Sequence, residues 1–471
     1  MITDELVQRF TAIVGEAHAL GSNDDLDHYT HENRELFVGK TPLVLKPGCT
    51  QEVSDIVKLA IGSRTALIPQ GGHTGHVGGA VPDESGTQIV ISLERLNRVR
   101  EIDLDGNVLI CEAGCILENI QKIADDNHRL FPLSLGSQGS CQIGGNISTN
   151  AGGTGVLAYG STRQLVMGLE VVLPSGKIWN GLRRLKKDNT GYDLKNLFIG
   201  AEGTLGIITA AVLKLFPKPK GKAIAFCGLQ SAAQALELFN RAHDAAGSSL
   251  TTFELMARTP TEITFKNMEG VRNPLDEVYP WQVLIEISSL HSEQDALAVL
   301  EPLLEDNFAD EIIADASVAS SIAQQREFWN VRETMPLAQK QEGGSMKHDI
   351  SVPIHKIPEF LDRADAIIDR EMPDARVYAF GHLGDGNIHF NISQPEGANP
   401  AKFLSRQPEI NGLIHELVIE MHGSVAAEHG VGRLKTALIA RYKDPVELGL
   451  MRSVKQTLDP QNLMNPGKVI E

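Results

Sequence analysis

No two of the five cysteines form a CxxC pair, and Cys49, Cys111, Cys115, Cys141 and Cys227 contain no iron–sulfur ligand run. Their odd number and wide spread exclude a disulfide framework and a built-in cluster relay, and predict free thiols in a reducing compartment. Positive charge is scarce as well. A formal net charge of -17 excludes the basic stripe that a nucleic-acid surface needs. An anionic ligand must therefore be met by local donors rather than by the field of the whole chain. No apolar stretch reaches the roughly 20 residues needed to span a bilayer. The first residues, Met1-Ile2-Thr3-Asp4-Glu5-Leu6, lack a charged segment followed by an apolar one. No signal peptide is read there, and the expected location is cytoplasmic. There is no G-x-G-x-x-G between a strand and a helix and no G-x-x-x-x-G-K-[ST], which demotes nicotinamide binding of the usual kind and nucleotide hydrolysis. Internal repeats and low-complexity segments are missing too.

What is present fills two or three domains, since 471 residues exceed one typical core. Residues 51–63 carry apolar positions at helical spacing. Short apolar runs at 66–69, 88–93, 108–111, 165–173 and 207–216 read as strands, with a further helix over 116–127. Composition shifts at Pro217-Lys218-Pro219-Lys220-Gly221, a basic and apolar-poor stretch that marks a domain boundary. Beyond it, helices at 231–245, 292–308 and 357–372 alternate with strands at 283–287, 377–380 and 388–392. From about residue 408 to 458 the chain is expected to be helical. The fold class is α+β, with domains expected at 1–220, 221–407 and 408–471.

Three glycine-rich clusters crowd the first half. Pro69-Gln70-Gly71-Gly72-His73-Thr74-Gly75-His76-Val77-Gly78-Gly79 packs five glycines into eleven residues. Residues 136–145, running on to Gly152 and Gly153, repeat the device, as does Gly200-Ala201-Glu202-Gly203-Thr204-Leu205-Gly206. Glycines let backbone N–H groups gather around an anion such as a pyrophosphate. One such loop is as often only a tight turn; three in one half-chain point to a dinucleotide.

A second constellation lies near the C-terminus. Asp385-Gly386 is a hairpin-turn signal between two apolar runs, so His382 and His389 would sit at the turn-proximal ends of paired strands, near enough to share an ion. Glu428 adds a carboxylate, which makes a two-histidine, one-carboxylate set with open positions that suits a Lewis-acid ion. His429, beside Glu428, should point the other way and serve as a base rather than a ligand, because successive residues of extended chain face opposite sides. Taken singly, a histidine is more often a satisfied structural residue.

These segments resemble the vanillyl-alcohol-oxidase-type flavoproteins. The stretches Pro69–Gly79, Ser137–Gly153 and Ile199–Ile208 look like their FAD-binding segments. Phe380–Asn391, Ala427–Lys435 and Asn465-Pro466-Gly467-Lys468 are similar to the FAD-linked 2-hydroxy-acid dehydrogenase branch, which includes D-lactate and D-2-hydroxyglutarate dehydrogenases. The resemblance covers nearly the whole chain. It implies a two-part FAD-binding domain, a substrate domain and a C-terminal helical segment that completes the active site. FAD would be held by Pro69, Gly71, Gly72, His73, Thr74, Gly75, Gly139, Ser140, Gly144, Gly145, Asn146, Gly152, Gly153, Gly203, Gly206 and Ile208. His73 stands where related enzymes commonly have Asn or Gly, and in more distant flavoproteins a histidine of a similar loop is joined to the flavin. His382, His389 and Glu428 match a divalent-metal set that is often zinc.

The implied reaction oxidises a small 2-hydroxy acid by hydride transfer to flavin N5, with His429 taking the hydroxyl proton and Asn391 donating to the substrate. Arg332 and Lys347 match the cations that grip the distal carboxylate in hydroxyglutarate enzymes, although a surface ion pair of Arg332 with Glu333 is the plainer reading. Pro336 stands where those enzymes carry a threonine, which leaves room for D-malate or D-lactate. Two rival readings are a flavin-carrying electron-relay subunit and a structural metal site. The expected partners are a soluble acceptor such as electron-transfer flavoprotein and, as in many family members, a second copy in a homodimer.

Overall fold

The computed structural model describes residues 2–21, 23–32 and 34–470. They divide into two compact units. The first comprises residues 1–153, 160–217 and 428–471, and the second residues 154–159 and 218–427. The chain therefore leaves the first unit after Pro217 and re-enters it at Glu428.

In the first unit, β1 (Ala19–Gly21), β2 (Leu43–Leu45), β3 (Leu67–Gln70) and β4 (Ile89–Ser92) form a sheet of order β1-β2-β4-β3. In β2 and at Ile89–Ile91 of β4 the side chains are apolar and buried on consecutive positions, as strands covered on both faces require. The helix Thr50–Ser63 buries Val53, Ile56, Val57 and Ala60, one stripe at helical spacing. A second sheet takes β5 (Val99–Asp103), β6 (Val108–Glu112), β7 (Val166–Val172), β8 (Ile178–Gly181) and β9 (Ile207–Lys214) in the order β5-β6-β9-β7-β8. The C-terminal stretch is stitched back onto the first sheet. Leu67 donates its N–H to the Leu463 carbonyl, and Asn465 donates to the Leu67 carbonyl.

The second unit is built on eight strands among the described residues: β10 (Gly221–Leu229), β11 (Leu250–Ala257), β12 (Trp281–Ser289), β13 (Asp315–Val318), β14 (Ser345–Met346), β15 (Asp349–Ser351), β16 (Arg376–His382) and β17 (Asn387–Ser393). Their order is β13-β10-β12-β11-β16-β17-β14, with β15 paired to β17. The flanking helices have clear start signals. Ser231 and Gln234 form a reciprocal capping box for Ala232–Ala246, and Ser292 and Ser321 each accept a first-turn N–H of their own helices. One of these, Ile322–Lys340, buries Phe328, Val331, Met335 and Ala338 against Met256, Leu284 and Tyr378 of the sheet.

The β16–β17 hairpin forms as expected, closed by a short 3-10 turn at Leu383–Asp385. Gly386 ends that turn with φ of 85°, and a Cβ there would meet the Val352 carbonyl oxygen at 2.4 Å, so only glycine fits. The helical stretch expected from 408 to 458 is found with one long interruption. Helices occupy Gln407–Glu420, Thr436–Tyr442 and Pro445–Leu458, and residues 421–435 between the first two are irregular. Gly423, Gly430 and Gly432 explain the break, because repeated glycine disfavours helix. Among the described residues, no helix is long and apolar enough to cross a membrane.

Candidate active site

The first unit holds a cleft where the three glycine-rich clusters meet. Its walls include residues 69–75, the Gln142 and Gly144–Asn146 region, Glu202, Gly203, Gly206, Ile208 and His429. The loop after β3 approaches the second cluster so closely that a Cβ on Gly72 would lie 2.2 Å from the Ser140 carbonyl oxygen. None of the N–H groups of residues 71–75 finds an acceptor among the described residues. Gln142 Oε1 and Asn146 Oδ1 are likewise buried without a hydrogen-bond partner. Buried polar groups are nearly always satisfied. A row of amides and two amide side chains left unmet in one cleft is therefore a fit for a polar, phosphate-bearing cofactor.

His73 lines this cleft with φ of 56° and donates Nε2–H to the His31 carbonyl at 2.7 Å. Burial pushes its pKa below the ordinary histidine value. Gly139, Ser140, Gly152 and Gly153 do not line the cleft. The Gly153 N–H instead donates to Glu428 Oε1 at 2.9 Å and so helps to fix that carboxylate. His429 does line it, edge-on to His76 with ring centroids 5.2 Å apart.

Glu202, not anticipated from the sequence, holds this segment. Its carboxylate accepts the N–H groups of Val431 and Gly432 at 2.7 and 2.8 Å, just beyond His429. Burial raises its pKa, and the two amides with the more distant Lys435 and Lys468 only partly offset that. The available signal was a charged residue inside a glycine loop.

In the second unit, β16 and β17 place His382 and His389 on one face of the hairpin, with ring centroids 5.9 Å apart. Across the adjoining pair, β11 sets Glu254 directly opposite His382. Glu254 Oε1 lies 2.6 Å from His382 Nδ1, and Glu254 Oε2 accepts from Arg332 Nε at 2.7 Å. Burial pushes the Glu254 carboxyl up, but His382 and Arg332 more than offset it and hold the group below the usual carboxylate range. A carboxylate on Nδ1 leaves Nε2 of His382 as the nitrogen that can bind an ion, the usual arrangement of a metal-binding histidine. The donor set thus fits a divalent metal.

Arg332 is buried, packs its guanidinium over Phe380 at 4.6 Å and pairs with Glu254 rather than with Glu333. Its terminal nitrogens make no hydrogen bond to any described residue. Lys347 is exposed between β14 and β15. Asn391 is buried, donating to Gln339 Oε1 at 3.0 Å and accepting the His348 N–H at 3.2 Å.

Residues 41–181 match the FAD binding domain family, and residues 218–469 match the C-terminal domain of FAD linked oxidases. The chain belongs to the FAD-linked oxidases. It is 38% identical over 434 residues to D-2-hydroxyglutarate dehydrogenase, mitochondrial, of Danio rerio, covering 92% of this chain and 79% of that one. It is 37% identical over 471 residues to the probable D-2-hydroxyglutarate dehydrogenase, mitochondrial, of Oryza sativa subsp. indica, covering 100% and 82%. A D-2-hydroxyglutarate–pyruvate transhydrogenase of Saccharomyces cerevisiae is 34% identical over 481 residues, covering 100% and 95%. The solved structure of p-cresol methylhydroxylase with substrate bound superposes with a TM-score of 0.77 at 16% identity over 99% of this chain and 96% of that one, which shows the same two-domain FAD-binding fold.

The chain is an FAD-dependent 2-hydroxy-acid dehydrogenase. The expected cytoplasmic location is overturned, since the zebrafish and rice relatives are named mitochondrial. That expectation rested on the composition of residues 1–6, which says nothing about the compartment of the folded domains.

Proposed function

We propose that this dehydrogenase oxidises D-2-hydroxyglutarate to 2-oxoglutarate with the help of a divalent metal, zinc by preference. The observation that carries the substrate assignment is Arg332, a buried cation whose terminal nitrogens are left for a ligand carboxylate. A charge-assisted hydrogen bond there contributes about 1.5–3 kcal/mol. Lys347 is assigned as the second cation on the sequence match. Lactate carries a methyl in place of the distal carboxylate and would leave these cations unmatched.

His382, His389 and Glu428 are assigned as the metal ligands, and His429 as the base that takes the 2-hydroxyl proton. Asn391 is assigned a hydrogen bond to substrate through the amide hydrogen that Gln339 does not take. Bound FAD supplies a two-electron acceptor, and the bound ion a Lewis acid for the substrate oxygens. Pro336, which cannot supply a threonine hydroxyl, favours one second reading, a shorter acid such as D-malate or D-lactate. A soluble electron-transfer flavoprotein as acceptor and a homodimer are proposed on family resemblance.

The test is an anaerobic visible spectrum of purified, metal-replete protein before and after each acid. Fastest bleaching with D-2-hydroxyglutarate supports the reading. Equal or faster bleaching with D-lactate or D-malate moves the assignment to that acid, and a flavin reduced by none of them sinks it.

A further inference from the structure

Glu254 sits in the strand run Leu250–Ala257, a residue that the motif pattern does not mark. Its side chain is 1% exposed. A lone buried carboxylate costs several kcal/mol, so its retention requires that both oxygens be met. Here both are met by donors, Arg332 Nε–H at 2.7 Å and His382 Nδ1–H at 2.6 Å. Those partners lie 78 and 128 residues away, on the helix Ile322–Lys340 and on β16.

We propose that Glu254 is a positioning residue that joins metal binding to substrate recognition through one carboxylate. This rests on the metal and distal-carboxylate assignments above. Toward His382 the carboxylate fixes the proton on Nδ1 and turns the Nε2 lone pair to the ion. Toward Arg332 it occupies the Nε edge alone, so the guanidinium presents its two terminal nitrogens as a fork for a second carboxylate. Phe380 beneath the guanidinium, at 4.6 Å, keeps the fork from rotating away. The same carboxylate therefore sets where the ion binds and which acid is accepted.

Chemistry separates this role from mere packing. A glutamine at 254 has the same shape but one acceptor oxygen, and its amide nitrogen would face a donor, either Arg332 Nε–H or His382 Nδ1–H. An aspartate keeps two acceptors but is one methylene shorter. A positioning carboxylate predicts that Glu254→Asp outperforms Glu254→Gln; a packing role predicts the reverse.

The experiment uses full-length, FAD-loaded protein and titrates zinc against a chromophoric chelator in the absence of substrate. Glu254→Gln is expected to weaken zinc binding about 10–100-fold, with FAD retained, and Glu254→Asp to recover part of the loss. In steady-state assays Glu254→Gln should also raise KM for D-2-hydroxyglutarate more than KM for D-lactate. Wild-type zinc affinity in Glu254→Gln overturns the proposal, as does Glu254→Asp binding zinc more weakly than Glu254→Gln.

If Glu254→Gln does not fold, Arg332→Ala carries the test. Freed from the guanidinium, the carboxylate polarises His382 more strongly and zinc affinity should rise several-fold, whereas an unchanged affinity overturns the link. Wild-type protein that takes up no zinc sinks the metal assignment itself. The KM ratio then tests Glu254 alone, and a ratio unchanged by Glu254→Gln overturns its role toward Arg332.

Discussion

The cleft around residues 69–75 offers main-chain amides, whereas the Glu254 cluster offers side-chain nitrogens held by a buried carboxylate. The first kind of site is cheap in charge: glycines bring N–H groups together, and the donors cannot be removed by changing a side chain. The second depends on a few ionised groups out of water, each stable only while its partner stays. The cleft should therefore fail through sterics and the cluster through chemistry.

The largest expected effect comes from the one imidazole lining the cleft that is assigned to the chemistry. His429→Ala should lower kcat by about 10²–10⁴ while the flavin absorbance of the purified protein is unchanged. Unchanged turnover would remove its role as base. Next is the cluster's substrate cation. Arg332→Ala should lower kcat/KM on D-2-hydroxyglutarate about 10–100-fold more than on D-lactate, and an equal loss on both acids would refute distal-carboxylate recognition.

A steric failure of the cleft is smaller. Gly72→Ala forces apart the loop and the Ser140 carbonyl, 2.2 Å from the added Cβ, and should weaken FAD retention about tenfold. Isothermal titration of FAD into the stripped protein would measure it, and wild-type affinity would show that the loop yields without harm.

The smallest effect sharpens the contrast between partnered and unpartnered buried charge. Asp365, on the helix Ile357–Glu371, has a buried Oδ1 with no partner, and burial with nearby Asp369 and Asp362 raises its pKa to about 6. A folded-state pKa above the unfolded one gives stability that is present at low pH and lost as pH rises through about 6. Asp365→Asn should thus leave Tm nearly unchanged near pH 4 and raise it above pH 7. A Tm gain that does not vary with pH would assign the effect to something other than ionisation.

Much of the first region was legible in the sequence because its working parts are glycines, and glycine clusters announce backbone geometry directly. The hairpin bearing His382 and His389 was legible for the same reason, through Asp385-Gly386. Glu254 was not, since a single Glu between Phe253 and Leu255 reads as one polar position in a strand. Its meaning lies in partners that only the sheet register and a packed helix bring to it. The irregular stretch 421–435 was legible in part: Glu428 and His429 read as extended chain, and Gly423, Gly430 and Gly432 disfavour helix around them. Glu202 went unnoticed amid the glycines it serves.

The return of the chain to the first unit at Glu428 also sets a timetable for synthesis. Asn465 donates its side-chain N–H to the Gly79 carbonyl at 2.8 Å across 386 residues. At about 5–20 residues per second, a ribosome needs roughly 20–80 s between making the two ends of that bond. During that interval the edge at Leu67 lacks its final neighbour, and the second unit, contiguous apart from one short segment, can finish first. Nascent chains of this enzyme should depend on chaperone cover for the N-terminal sheet until translation ends.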